Sequence, residues 1–333
     1  MRFGVPYQGS KNQIARWVID NLPEDEILVD LFAGGCAVTH AAMLSGKWNK
    51  VIANDIGDAP ELFCDAIDGK YADEKRWISR EDFQNLKDTD PYVSLCWSFG
   101  NNRSGYLYAQ EVEPWKKALH YARVFGDCSL LQEMGIDSDG SSGDVRKHHD
   151  EYKEKYIRWW LSKQKYTSAE LDKLIANVKA DIERDEEELR HYLIVALKKS
   201  RLQELQSLQR LQRLQSLQSL QKYKNNLTIT RKSYADVAIP DNAVVYADPP
   251  YKGTNIEGYK CDFDYAAFEK WLNEVPFMVI VSEYNAPARC VEIASIKKQS
   301  LFGTGNKGGT NTEKLFVQER FYNEYLQKMG RLF

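Results

Sequence analysis

VVYADPPYKGT, residues 244–254, is the stretch on which the reading of this chain turns. Four apolar residues run directly into an acid, two prolines and an aromatic ring. The apolar run predicts a buried strand. The prolines fix the backbone after it and remove two N–H donors, leaving carbonyl oxygens free to accept. In an open parallel sheet, ligands sit beyond the carboxyl ends of the strands, which is where Asp248 falls. Acceptors from Asp248 and Pro249, with Pro250 holding the corner and Tyr251 offering a flat π-face, suit an amino group on a planar ring. The plain alternative is a Pro-Pro turn closing a strand.

The flanking sequence supplies the parallel sheet. Ile14, Trp17, Val18 and Leu22 recur at helical spacing within residues 10–22, and Ser10 is placed to cap that helix. ILVDLF (27–32) reads as a buried strand ending at a tight Ala-Gly-Gly turn, and AVTHAAMLSG (37–46) as the helix after it, stopped by Gly46. KVIAND (50–55) is a second strand ending in an acid. This β-α-β order predicts an α/β fold with a parallel sheet. The style resumes with strands at LTIT (227–230), AVVYAD (243–248) and FMVIVSE (277–283), and an amphipathic helix over 264–275. VEIASIKK and EKLFVQERF, flanking the loop GTGNKGGTNT, read as an antiparallel hairpin at the sheet edge.

Between these blocks the composition changes. Residues 150–200 are helical in composition and highly charged. From Arg146 to Lys232 there are 20 Lys and Arg against 12 Asp and Glu, a local +8 that leaves −11 for the rest of a −3 chain. A basic middle in an acidic remainder is compatible with nucleic-acid binding, and equally with a solvated helical surface. In RLQELQSLQRLQRLQSLQSLQ (201–221), leucine recurs every three residues from Leu202 to Leu220, seven times. On an α-helix each step of three falls about 60° short of a turn, so the leucines would spiral, unlike a coiled-coil seam with spacing near 3.5. The repeat is read as a scaffold or spacer. The six cysteines are scattered with no CxxC or Cys/His cluster, so neither a disulfide framework nor a metal site is expected. His148 and His149 read as part of a solvated loop. No apolar run approaches the roughly 20 residues of a membrane span, and the N-terminus has no signal-peptide core, so a cytoplasmic protein is expected.

The ordered motifs resemble those of DNA amino-methyltransferases, specifically the Dam-like D12 class of adenine-N6 enzymes of bacteria and phages. DPPY (248–251) resembles their catalytic motif, PYQGSK (6–11) their N-terminal cofactor motif and DLFAGGCAV (30–38) their glycine-rich cofactor loop. AND (53–55) is similar to their acidic second strand end, and NTEKLFV (311–317), SFGNN, RSGYLY and VSEYN to segments of phage and prophage members. The resemblance implies a Rossmann-like sheet binding S-adenosylmethionine through Tyr7, Lys11, Asp30, Phe32, Ala33, Gly34, Asp55, Tyr234 and Asp248. Tyr7 and Lys11, four apart, would share a helix face if the helix starts early. Asp55 is placed for ribose hydroxyls or as a helix N-cap. Ser233 stands where the family has an acid before the aromatic at 234. Phe263 suits a base-pocket wall or a core position. Arg103 is a candidate DNA contact.

The expected reaction is methyl transfer to adenine N6 in double-stranded DNA, with the base flipped out, Tyr251 stacking on it and Asp248 with Pro249 accepting from its amino group. The expected organisation is a discontinuous catalytic domain, 1–60 and 226–333, around an inserted, mainly helical target-recognition region, 61–225. A monomer without metal is expected. Methylation of cytosine N4 or of a protein glutamine remains open, as does an inactive DNA-binding relative. Glutamine enzymes usually carry Asn in place of Asp248.

Overall fold

The computed structural model describes residues 2–163, 205–251, 263–299 and 310–331. Most of the charged stretch 150–200, the start of the leucine repeat and most of residues 303–312 lie outside them.

Strands β1 (Ile27–Asp30), β2 (Lys50–Asn54), β3 (Leu227–Thr230), β4 (Ala243–Ala247), β5 (Val279–Glu283), β6 (Cys290–Gln299) and β7 (Thr310–Gln318) form one sheet in the order β3-β2-β1-β4-β5-β7-β6. The first five pair in parallel, and β7 runs antiparallel to both β5 and β6. The sheet is the Rossmann-like one expected from the alternating sequence, closed by the expected edge hairpin. Strand order reverses between β1 and β4, where Asp30 faces Tyr246 in register. That reversal opens a crevice at the strand ends.

Both faces of the sheet are covered. Leu28, Val51, Val244, Tyr246, Ile280, Leu315 and Val317 enter one apolar core, while their neighbours Val29, Val245, Val279 and Val281 enter another. Burying one side chain of this size is worth about 1.5–3 kcal/mol, so polar residues are driven to the strand ends. Asp30, Asn54 and Asp248 stand there. Helix α1 (Ala15–Asp20) and helix α2 (Ala37–Ser45) cover the first face, with α2 buried along most of its length.

Helices α3 (Ala59–Ile67), α4 (Arg80–Leu86) and α5 (Pro91–Cys96) belong to the segment read as an insertion, yet Leu62, Phe63, Phe83, Tyr92 and Trp97 pack into the same core as the sheet. Helices α6 (Glu113–Phe125), α7 (Ser129–Glu133), α8 (Ser142–Lys147) and α9 (His149–Lys163) instead close on a separate core around Trp115, Leu119, Leu131, Tyr156 and Trp160. His148 and His149 lie at the junction of α8 and α9 rather than in a loop, bonded to Asp144 and Asp150.

The leucine repeat is no spacer. It forms helix α10 (Gln206–Ser216) and continues as a 3-10 helix over Leu217–Asn226. Leu205 lies in the helical core, Leu208 touches both cores, and Leu211, Leu214, Leu217 and Leu220 are buried in the sheet's core. A period of three equals the three residues per turn of a 3-10 helix. Leu217, Leu220 and Tyr223 therefore stack on one side, whereas the α-helical leucines before them spiral and carry the stripe from one core to the other. Helix α11 (Tyr265–Glu274) packs Phe268 and Leu272 on the far face, and α12 (Tyr322–Lys328) ends the described chain.

Candidate active site

The crevice beyond β1 and β4 is a cleft of about 310 Å³, at the lower end of the roughly 300–1,000 Å³ of small-molecule sites. Tyr7, Lys11, Asp30, Phe32, Ala33, Gly34, Asp55, Tyr234 and Asp248, nine positions from five separate segments, all line it, with Pro250 and Phe263. Pro249 and Tyr251 flank it without lining it.

The glycine turn after β1 is shaped by close approach. Gly34 has φ +47, and a Cβ there would stand 2.9 Å from the Tyr7 ring. Its N–H donates to Asp55 Oδ2 at 2.8 Å, and the Gly57 N–H donates to Oδ1 at 2.7 Å. Asp55 thus ties the end of β2 to the turn, while the N-cap of α3 is Asp58. Asp30 is buried and accepts from Thr39 Oγ1 at 2.6 Å and Thr39 N–H at 3.1 Å. Tyr7 and Lys11 do not share a helix face. A turn with Gly9 at φ +73 separates them, and Lys11 opens a 3-10 turn, Lys11–Gln13, capped by Ser10. The expected helix over 10–22 is broken at Ile14, and α1 follows it.

Beside the cleft lies a buried polar network. Lys11 Nζ stands 2.8 Å from Asp248 Oδ1 and 3.9 Å from Glu313. Tyr251 donates to Glu313 Oε2 at 2.7 Å, and the Ser282 hydroxyl lies 2.7 Å from the same phenol oxygen. Glu313 is 2% exposed and Ser282 fully buried. The sequence reading missed both as site residues, although the segments that contain them, NTEKLFV and VSEYN, were singled out. The Tyr251 ring is not an open platform here: it is 7% exposed, with Lys11 Nζ 4.5 Å from its centroid and Tyr284 edge-on at 4.6 Å.

Burial pushes Asp30 up to about 7, against the Thr39 bonds and with help from the Asp248 charge. Burial likewise raises Asp55, against the Gly57 and Gly34 N–H groups, and Asp248, against Lys11. Four aspartates and two lysines line the cleft, so its field favours a cation. On the opposite wall Phe32, Tyr234 and Phe263 meet at centroid distances of 5.4–6.0 Å. Phe263 serves as both wall and core, packing on Phe268 as well. Carboxylates for positive charge and hydroxyls, with an aromatic wall for a purine, match S-adenosylmethionine.

Arg103 has internal partners. Its guanidinium is 2.6 Å from Asp58 and bonds Ser94, and its side chain is 13% exposed. Among the described residues, no helix is long and apolar enough to cross a membrane, and no group of three or more acidic, His or Cys residues could hold a metal.

No curated protein matches the chain significantly. Residues 7–124, which carry Tyr7, Lys11, the glycine turn and Asp55, match the family model for D12 class N6 adenine-specific DNA methyltransferase. That match covers residues 7–124 of the 333, so over this segment the chain is similar to the D12 class of N6 adenine-specific DNA methyltransferases.

Proposed function

We propose that the protein is a site-specific enzyme that methylates adenine N6 in double-stranded DNA from S-adenosylmethionine, with Asp248 as the residue that orients the amino group. The observation that carries this reading is the position of Asp248, at the end of β4, lining the cofactor cleft and paired with Lys11 at 2.8 Å. S-adenosylmethionine supplies an electrophilic methyl group on a cationic sulfur. Asp30, Asp55 and Asp248 supply the negative field that suits its charge, while Phe32, Tyr234 and Phe263 would hold its purine. Asp248 and the Pro249 carbonyl accept from the adenine amino group, which aims the nitrogen lone pair away from the acceptors. The work is positioning and electrostatics. The target base must leave the stack, and the Tyr251 ring, once Lys11 shifts from it, is the surface for it. Helices α6–α9, with their own core, are the region we assign to DNA recognition.

The test is transfer from labelled S-adenosylmethionine to unmodified duplex DNA, followed by nucleoside analysis. Label is expected in N6-methyladenine, and Asp248→Ala is expected to lower the rate by about 10²–10³-fold or more. Because Lys11 would then be buried without its nearest partner, Asp248→Asn serves as the variant that separates lost chemistry from lost folding. Label in N4-methylcytosine, or undiminished transfer by both variants, would overturn the assignment.

A further inference from the structure

The leucines of the repeat enter the core, but two of its arginines act on loops. Arg210 and Arg213 lie one turn apart on α10. Arg213 Nε donates to the Gly4 carbonyl at 2.7 Å, and its Nη2 to the Phe3 carbonyl. Among the described residues Arg213 has no carboxylate partner: its half-buried guanidinium is held by main-chain carbonyls.

The turn it holds is wedged against the cofactor loop. Gly4 has φ +68, and a Cβ there would begin 2.1 Å from the Gly35 carbonyl oxygen. The Gly4 N–H donates to His40 Nδ1 at 3.0 Å, and the Val5 N–H to the Gly35 carbonyl at 2.8 Å. His40 accepts as a neutral ring, its pKa lowered to about 4 by burial first and then by the charge of Arg213. Two residues beyond Val5, the Tyr7 side chain rests on Gly34 and Gly35, and Lys11 follows at the ion pair with Asp248.

We propose that Arg213 is a positioning residue for cofactor binding: it fixes the turn Phe3–Val5 against the glycine loop, so that Tyr7 and Lys11 stand in the cleft. The inference rests on reading that cleft as the S-adenosylmethionine site. Arg210 provides a matched comparison on the same helix. It donates to the Cys96 and Ser98 carbonyls, both at 2.8 Å, and so braces a loop that does not line the cleft.

The experiment measures S-adenosylmethionine dissociation constants by calorimetry, and KM for cofactor and DNA separately, in wild type, Arg213→Met, Arg213→Lys and Arg210→Met. Losing two charge-assisted bonds should weaken cofactor binding of Arg213→Met about tenfold, leaving KM for DNA within about twofold. Arg213→Lys should recover part of the loss, and Arg210→Met should bind cofactor like wild type. Unchanged cofactor affinity in Arg213→Met, or an equal loss in Arg210→Met, would overturn the proposal, the second because α10 would then be a general support. If Arg213→Met does not fold, Arg213→Lys decides: a raised cofactor Kd supports the proposal and an unchanged one overturns it. A wild-type protein that binds no S-adenosylmethionine would defeat the underlying reading before any variant is compared.

Discussion

The sheet end and the helical core around Trp115 both bury large aromatic rings, but they treat charge in opposite ways. In the helical region two ion pairs are local and at least partly exposed: Glu151 with Lys155 and Glu154 with Arg158 lie four residues apart on α9. Such pairs are worth about 0.3–0.5 kcal/mol each and serve mainly solubility. At the sheet end, Lys11, Asp248 and Glu313 come from distant parts of the chain and are largely buried. Burying charge is expensive, and a buried carboxylate with raised titration, as at Asp248, marks a site of function. The difference predicts that the helical core can be weakened without disturbing the cleft, whereas the sheet end cannot lose one charge without upsetting the others.

The largest test of that separation is Trp115→Ala. Trp115 is 1% exposed, and removing such a ring costs about 3–5 kcal/mol. DNA affinity is expected to collapse while calorimetric cofactor binding persists. Loss of both together would show that the two cores unfold as one unit.

Glu313→Ala probes the other side. It removes the acceptor of Tyr251 and a carboxylate beside Lys11. A charged hydrogen bond contributes about 1.5–3 kcal/mol, so kcat should fall about ten- to a hundredfold with cofactor affinity little changed. An unaltered kcat would mean that the network only fills space.

The smallest expected effect is on pH dependence. Asp30, raised to about 7, is largely protonated below that pH in the free protein. Its folded pKa lies above its unfolded value, so in the absence of ligand stability falls as pH rises toward 7. A bound cation favours the ionised form, and cofactor affinity should therefore weaken as pH drops through 7, by about tenfold for each unit below it. Asp30→Asn should flatten the profile. A wild-type profile already flat between pH 6 and 8 would remove Asp30 from the binding electrostatics.

Much of the cleft was legible because its residues sit at strand ends, and strand ends are visible in the alternation of apolar runs with turns. Asp30, Gly34, Asp55 and Asp248 each close such a run. Glu313 and Ser282 were not legible as site residues. They sit on β7 and β5, 62 and 31 residues from the tyrosine they hold, and β7 reaches β5 only by antiparallel pairing at the sheet edge. The pairing of Arg103 with Asp58 was not legible either, since the two lie far apart along the chain.

The amino-acid sequence by itself determined the sheet and the crevice end of it, because periodicity, proline rigidity and glycine turns are local properties. Tertiary structure alone decided what the leucine repeat does. A period of three is compatible with a spiral α-stripe or with a straight 3-10 stripe, and the chain uses both in succession, according to which core each leucine can reach. It also decided that Arg213 should spend its charge on the turn before Tyr7, a contact 209 residues away along the chain, which no local pattern encodes.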